Sequence, residues 1–132
     1  MRQIFVDSSA FYALADRKDP AHGRAKAFLE SNELPLLTNN YVFAETISLL
    51  TKRLGKTAAT EFGSRLRASE LVRILYLDAG YEEAAWKEFQ RFKDKGYDFV
   101  DSTCFAVMEK VGIEMAFSFD RHFAQRGYRL VP

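Results

Sequence analysis

Short apolar runs alternate with longer amphipathic segments along this chain. The apolar runs have the length of buried strands, and they cover residues 4–6, 35–37, 72–77 and 115–117. The segments between and after them have helical spacing, and they cover about residues 8–15, 20–30, 40–55, 57–69, 79–93, 98–111 and 120–126. Residues 128–131 form a last short segment without an assignment. Strands that alternate with helices predict an α/β fold, a three-layer sandwich with a mostly parallel central sheet flanked by helices.

Polar residues mark the predicted helix starts. Ser8 or Ser9 is expected to cap the first helix, and Asp19, which precedes a proline, is expected to cap the second. Asn39 or Asn40 is expected to cap the third helix. Because parallel sheets bind ligands beyond the carboxyl ends of their strands, the residues that follow the predicted strands are where function is expected.

Composition supports a compact folded domain. Hydrophobic residues make up 48% and aromatic residues 14% of the 132 residues, and no low-complexity linker divides the chain. We therefore expect a single domain over residues 1–132. The formal net charge of +1 argues against a uniformly basic nucleic-acid binder but leaves room for local patches.

Cysteine content and hydropathy limit the kinds of site and the cellular locations that are expected for this chain. Cys104 is the only cysteine, so the chain forms no internal disulfide and no cysteine cluster for zinc or iron–sulfur binding. No apolar run reaches transmembrane length, and the first residues do not have the composition of a signal peptide. We therefore expect a cytoplasmic protein that does not insert into a membrane.

Two carboxylates follow predicted strands. Asp7 comes directly after the first strand, and Asp120 follows the fourth. Each residue alone has an alternative role as a helix cap. If the two strands are neighbours in the sheet, both carboxylates lie at the edge where parallel sheets bind ligands.

Two further carboxylates interrupt apolar helix faces. Glu45 lies between Val42 and Leu49 on one stripe. Asp101 begins the inward stripe of the sixth predicted helix, and a charge in such a place is costly unless it is paired or bound to a metal. The alternatives for Glu45 are a buried salt bridge or a position at the edge of the stripe, where its side chain reaches water. The alternative for Asp101 is an acid in the first turn that the helix dipole favours. Asp98 is interpreted first as the cap of that helix and second as a neighbour of a metal site.

Together, these acids predict a metal site. No lysine or arginine is their obvious sequence partner, and carboxylates that converge in a cleft repel one another. A hard divalent cation that prefers oxygen ligands, such as Mg²⁺ or Mn²⁺, is the usual compensation. Such a cation lowers the pKa of a bound water and neutralises charge that develops on phosphate, so the set favours hydrolysis of phosphodiester bonds.

Four segments of the chain resemble, in order, the signatures of PIN domains. They are residues 5–9 (FVDSS), 41–46 (YVFAET), 98–102 (DFVDS) and 118–123 (SFDRHF). The likeness is closest to the small VapC-like ribonuclease toxins of prokaryotic toxin–antitoxin modules. It implies a PIN-like parallel sheet between helices and a Mg²⁺- or Mn²⁺-dependent endoribonuclease that hydrolyses RNA. It also implies a cognate antitoxin protein and a homodimer.

The resemblance assigns roles to individual residues. By motif position, the catalytic and metal-binding quartet is Asp7, Glu45, Asp101 and Asp120. The polar residues that match supporting positions are Ser8, Ser9 and Ser118. Asp98 is an additional acid, a possible metal neighbour whose role the resemblance leaves open. No acid of the quartet is missing, so nothing indicates an inactive site.

Basic and aromatic residues are weaker candidates. Arg121 adjoins one of the acids, so we favour it for binding substrate phosphate, although it also fits an ordinary exposed arginine. His122 is interpreted as a surface residue at a helix start rather than a general base, because a carboxylate–metal site makes its own nucleophile. Trp86 either completes the rim of the core or contacts a partner. The other candidate phosphate contacts are Arg17, Lys18, Lys52, Arg53 and Lys56.

Two other function classes fit parts of this pattern. A noncatalytic RNA-binding or assembly domain that retains the fold is one alternative, and the complete set of acids argues against it. A different α/β enzyme with an acidic site is the other. A phosphatase of the haloacid dehalogenase class needs Asp-x-Asp after its first strand, whereas Asp7 is followed by two serines. A receiver domain needs a lysine motif that the residues after Asp78 do not supply.

Overall fold

The computed structural model describes residues 2–132, so Met1, the first residue of the predicted domain, lies outside the described residues. Strands and helices alternate along the chain. The strands are β1 (Ile4–Val6), β2 (Leu36–Asn39), β3 (Val72–Leu75), β4 (Met115–Phe117) and β5 (Arg129–Val131). The helices are α1 (Ser8–Ala15), α2 (His22–Ser31), α3 (Asn40–Leu54), α4 (Lys56–Ala68), α5 (Ala79–Arg91), α6 (Phe99–Val111) and α7 (Arg121–Gln125).

The strands form one parallel sheet in the order β3-β2-β1-β4-β5. The prediction of an α/β fold with a parallel central sheet is therefore confirmed. At the centre, β1 pairs with β4, and Val6 lies opposite Phe117. The chain continues from β1 to β2 on one side and from β4 to β5 on the other. Such a switch point opens a crevice beyond the carboxyl ends of the two central strands.

The centre of the sheet is covered on both faces. Every residue of β1 and β4 is buried, which is the pattern of parallel strands with helices packed on each side. The fully buried aromatic side chains of this core are Phe5, Phe11, Phe105, Phe117 and Phe123. Complete burial of one such side chain contributes about 1.5–3 kcal/mol. The crevice therefore stands on the most firmly packed part of the molecule.

Helix α6 runs through this core. Its residues 101–108 are all buried, which places the first-turn Asp101 at the start of a wholly buried stretch. At 13 residues it is still short. Within residues 2–132, neither α6 nor any other helix combines the length and the apolar composition needed to cross a membrane.

Two predicted helix caps are wrong. Asp7, not Ser8 or Ser9, caps α1, because its carboxylate accepts a hydrogen bond from the backbone amide of Ser9. The serine hydroxyls are thereby left free for other contacts. Helix α2 begins only at His22, and Asp19 instead closes the preceding turn, where its side chain accepts from the backbone amide two residues on at 3.0 Å.

The sheet edges also differ from the prediction. The unassigned segment near the end of the chain forms β5, whose three residues are too few to show a period and whose Arg129 is exposed. Strand β3 ends at Leu75, two residues earlier than predicted. The amide of Leu77 instead donates a hydrogen bond of 2.8 Å to the side chain of Asn40, which draws the chain away from the sheet.

A buried ion pair holds α7 against α5. The Arg126 side chain, which follows α7, donates from Nε to Glu88 at 2.6 Å, and Glu88 is buried. The guanidinium also lies 5.8 Å from the ring centre of Phe105 on α6. Loss of one partner from a buried pair costs about 3–5 kcal/mol. The short α7, which follows Asp120, is therefore firmly placed.

Candidate active site

The predicted carboxylates lie together beyond the carboxyl ends of β1 and β4. Asp7 follows β1 directly, and Asp120 caps α7 three residues after β4 ends. Because the two strands are neighbours, the expected convergence of these acids occurs. Glu45 from α3 and Asp101 from α6 line the same cleft of about 290 Å³, together with Asp98.

Asp7 is held by serine hydroxyls. It is only 4% exposed, and its Oδ2 accepts hydrogen bonds from Ser9 at 2.8 Å and Ser118 at 2.9 Å. Burial nevertheless outweighs these bonds and raises the pKa of Asp7 above its ordinary value. The buried position of Asp7 therefore disfavours the ionised form of its carboxyl group.

The same serines join the ends of the two central strands. The backbone amide of Phe119 donates to the Ser9 hydroxyl at 2.9 Å, and that of Asp120 donates to the Ser118 hydroxyl at 3.0 Å. The two hydroxyls are 3.2 Å apart. This network fixes the loop that carries Asp120 relative to the start of α1, which is consistent with the supporting role predicted for both serines.

Glu45 reaches the cleft from α3. Its side chain is half-buried, and its Oε1 accepts a hydrogen bond of 2.5 Å from Ser8. Burial, together with the negative charges of Asp98, Asp7 and Asp120, raises the pKa of Glu45. Within residues 2–132 no lysine or arginine pairs with Glu45, so the alternative of a buried salt bridge does not describe this residue.

Asp98 and Asp101 form a capping box at the start of α6. Asp98 Oδ1 accepts from the amide of Asp101 at 2.8 Å, and Asp101 Oδ2 accepts from the amide of Asp98 at 3.2 Å. Asp98 is therefore the cap, as first interpreted, and it also lines the cleft. Burial, followed by the charge of Asp98, raises the pKa of Asp101 to about 7. Asp101 is thus both a first-turn acid and a strongly perturbed cleft carboxylate.

His122 belongs to this cluster, whereas its place in the sequence indicates an ordinary surface residue at a helix start. Its Nδ1 lies 3.0 Å from Asp101 Oδ2 and 3.6 Å from Asp120 Oδ1. Burial lowers the pKa of His122, but the hydrogen bond to Asp101 and the nearby acids raise it overall. The sequence carries no local signal for this contact, because His122 and Asp101 are 21 positions apart and meet only through packing.

Of the candidate phosphate contacts, Arg53 and not the favoured Arg121 lines the cleft. Arg121 is exposed at the first position of α7 and is not among the residues that line the cleft. Arg53, from the last turn of α3, does line it, and its guanidinium lies 5.0 Å from the ring centre of Tyr12. Asp19, predicted only as a cap, also reaches the cleft wall.

A larger cavity lies elsewhere and has a different character. It measures about 470 Å³ and is bordered by α1, α2 and α4, with Phe11, Leu29 and Phe62 in its wall. None of the four predicted site acids lines it. The chemistry therefore belongs to the smaller acidic cleft rather than to the larger apolar one.

The donor set of the cleft fits a divalent cation. One atom each of Asp101, Asp120 and His122 lie within 4.8 Å of one another, and further carboxylates line the same space. Carboxylate oxygens suit Mg²⁺ and Mn²⁺. The raised pKa values of Asp7, Glu45 and Asp101 have burial as their largest cause, and a cation relieves both desolvation and mutual repulsion.

Comparison with known proteins agrees with this geometry. The 23S rRNA-specific endonuclease VapC20 of Mycobacterium tuberculosis is 41% identical over 125 residues, which cover 95% of each chain. The crystal structure of that VapC20, described as a sarcin-ricin loop cleaving toxin, matches with a TM-score of 0.90 and 40% identity over 95% of both chains.

More distant structures share the fold. FitAcB from Neisseria gonorrhoeae has a TM-score of 0.74 at 18% identity and covers 98% of this chain and 96% of that one. DNA-bound VapBC from Salmonella typhimurium has a TM-score of 0.67 at 14% identity and covers 98% and 97%. The PIN domain family profile matches residues 4–127, almost the whole chain. The chain belongs to the PIN-domain family.

Proposed function

We propose that this protein is a metal-dependent endoribonuclease and the toxin of a toxin–antitoxin pair, with residues 1–132 as one nuclease domain. The observation that carries the proposal is the convergence of Asp7, Glu45, Asp101 and Asp120 in one cleft. The 41% identity to a 23S rRNA-specific endonuclease over 95% of each chain supports it.

The acidic quartet holds Mg²⁺ or Mn²⁺, with Asp98 beside it. When bound, the cation supplies an activated water and neutralises charge on the scissile phosphate. The hydroxyls of Ser9 and Ser118 hold Asp7, and that of Ser8 holds Glu45. These contacts keep the carboxylates oriented without adding a competing positive charge.

The substrate is RNA, and the favoured target is ribosomal RNA. The relative VapC20 is described as specific for 23S rRNA and as cleaving the sarcin-ricin loop. This description supports a structured RNA loop as the target of this chain. Such a substrate requires a cytoplasmic location. Arg53 in the cleft wall and Arg121 at its outer side contribute contacts to RNA phosphates.

The protein partners are a cognate antitoxin and a second copy of this chain. For the homodimer, the supporting feature is an exposed aromatic face on α5. Trp86 is 48% exposed and stacks on the 38% exposed Phe89, with ring centres 5.7 Å apart. Large aromatic side chains left open in this way are typical of protein interfaces.

The alternative is a noncatalytic RNA-binding or assembly domain with the same fold. Such a domain has no use for a cluster of four carboxylates, three of which are in places where burial disfavours the ionised form. The raised pKa values of Asp7, Glu45 and Asp101 show that this cluster carries an energetic cost. A cost of this kind is typical of a catalytic site.

RNA cleavage by the purified protein tests the proposal. Cleavage of a sarcin-ricin loop hairpin should require Mn²⁺ or Mg²⁺ and stop with EDTA. Asp7→Asn and Glu45→Gln remove charge with little change in volume, and both should abolish cleavage while the circular dichroism spectrum stays unchanged. Asp94→Asn is the matched control, because Asp94 is an exposed acid outside the cleft. Cleavage that persists in Asp7→Asn, or in EDTA, refutes the assignment.

A further inference from the structure

The Asp101 carboxylate is held at one oxygen only. Its Oδ2 accepts from His122 Nδ1 at 3.0 Å and from the amide of Asp98 at 3.2 Å. Its Oδ1 has no hydrogen-bond partner within residues 2–132, and no fully buried side-chain oxygen there lacks a partner. Oδ1 is therefore in contact with solvent. The carboxylate presents one satisfied oxygen and one free oxygen.

Asp7, which lines the same cleft, is arranged in the same way. Its Oδ2 accepts from the hydroxyls of Ser9 and Ser118, whereas its Oδ1 has only a long contact of 3.4 Å with Ser8. In both acids, neighbouring donors saturate one oxygen and fix the plane of the group. What the serines do for Asp7, His122 does for Asp101.

The imidazole of His122 is itself fixed in place. Its ring packs edge-on against Tyr97 at 5.3 Å between ring centres. Gly96 lies so close that a methyl group there would be 3.4 Å from His122 Nε2. The backbone amide of His122 donates to Asp120 Oδ1 at 2.9 Å, which ties the residue to the cap of α7. These contacts hold one side of the ring beside Asp101, while 35% of the side chain stays exposed.

We infer that His122 is a positioning residue: its Nδ1–H holds Oδ2 of Asp101, so that Oδ1 is directed to the cation of the cleft. The inference rests on the proposed function, since it concerns the same metal site. A carboxylate that binds a cation is ionised and only accepts hydrogen bonds, so in the loaded site Nδ1 carries the proton of this contact. Partners that orient metal-binding side chains typically contribute a factor of about 10–100 in metal affinity.

Matched substitutions separate this role from simple packing. In His122→Asn the amide nitrogen stands near the position of Nδ1 and retains the donor, whereas in His122→Gln it stands near Nε2 and loses it. His122→Asp replaces the donor with a carboxylate, which repels Asp101 but offers a good ligand. Mn²⁺ binding without RNA is measured by electron paramagnetic resonance of the free ion.

The expected result is a Mn²⁺ dissociation constant about 10–100-fold higher in His122→Gln and His122→Asp, and close to wild type in His122→Asn. At saturating Mn²⁺, kcat for RNA cleavage should recover while KM for RNA stays unchanged. Equal dissociation constants in all variants overturn the inference. Tighter Mn²⁺ binding by His122→Asp overturns it as well, because His122 would then be a direct ligand.

A measurement on the wild-type protein keeps the inference testable if a variant fails to fold. Long-range ¹H–¹⁵N spectra of the imidazole should show Nδ1 protonated both without cation and with Mg²⁺. Loss of the Nδ1 proton on Mg²⁺ binding refutes the inference. If the wild-type protein neither binds Mn²⁺ nor cleaves RNA, the proposed function fails and the inference fails with it. If the wild-type protein cleaves RNA and His122→Gln binds Mn²⁺ as tightly as wild type, only the inference fails and the proposed function stands.

Discussion

Without a cation, Asp101→Asn should be more stable than the wild-type protein. Burial and the charge of Asp98 raise the pKa of Asp101 from the ordinary 3.8 to about 7, so the fold disfavours the ionised carboxylate. The amide of asparagine removes the charge and retains a carbonyl oxygen. That oxygen can still accept from His122 and from the amide of Asp98, as Oδ2 of Asp101 does.

The size and sign follow from the raised pKa of Asp101. Because the pKa is higher in the folded than in the unfolded protein, the protonated carboxyl favours folding below pH 3.8, and this contribution is lost as pH rises through about 7. The rise of the pKa from 3.8 to about 7 corresponds to at most about 4 kcal/mol. For a domain of this size that is a melting shift of about 15 °C at most.

Differential scanning calorimetry in EDTA measures the effect. Asp101→Asn should melt above wild type by several degrees at about pH 8, and the difference should shrink toward about pH 5, where the wild-type carboxyl is protonated. A cation that binds only the folded state stabilises by about 2.7 kcal/mol at a hundredfold excess over its dissociation constant, so Mn²⁺ should raise the wild-type melting temperature more than that of the variant.

Two outcomes would refute this reasoning. If Asp101→Asn melts well below wild type without metal at the higher pH, the carboxylate is a structural partner of the capping box rather than a strained ligand. If Mn²⁺ shifts neither protein beyond NaCl at matched ionic strength, the acids do not form a cation site.

Further predictions concern the quartet, the arginines and the aromatic face. Because the effects of substitutions at residues that act as a unit are not additive, the double variant Asp7→Asn/Glu45→Gln should cleave RNA little more slowly than either single variant. A single-turnover rate reduced by the product of the two single effects would contradict this. Arg53→Ala should weaken RNA binding and flatten its salt dependence more than Arg121→Ala, since only Arg53 lines the cleft; equal slopes in a salt titration would count against it. Trp86→Glu should shift the protein from dimer to monomer in light scattering, and a wild-type monomer at micromolar concentration would exclude the proposed dimer.

The order of elements was predictable because the period of the hydrophobic pattern is a local property. The buried runs of β1 and β4 and the cap at Asp98 can be identified from neighbouring residues alone. Strand β5 could not be, because its three residues carry no period and its pairing with β4 is a tertiary event. The start of α2 was misplaced because Asp19 fits a turn and a helix cap equally well.

The residues of the candidate site were predictable where a charged side chain interrupts an apolar helix face. Glu45 and Asp101 interrupt apolar faces, so their positions conflict with the local pattern and draw notice. His122 gives no such conflict, because a histidine in a first helical turn is unremarkable until α6 is packed beside it. Arg53 and Asp19 join the cleft through the same kind of packing, from parts of the chain that no motif connects.

The pairing of β1 with β4 has a consequence for the newly made chain. Ser118 and Asp7, which share a hydrogen bond, are 111 positions apart in sequence. The residues that line the cleft come from two separate parts of the chain, residues 7–53 and residues 98–120. The complete acidic cleft therefore forms only after the segment that carries Asp120 has been synthesised and has packed beside Asp7.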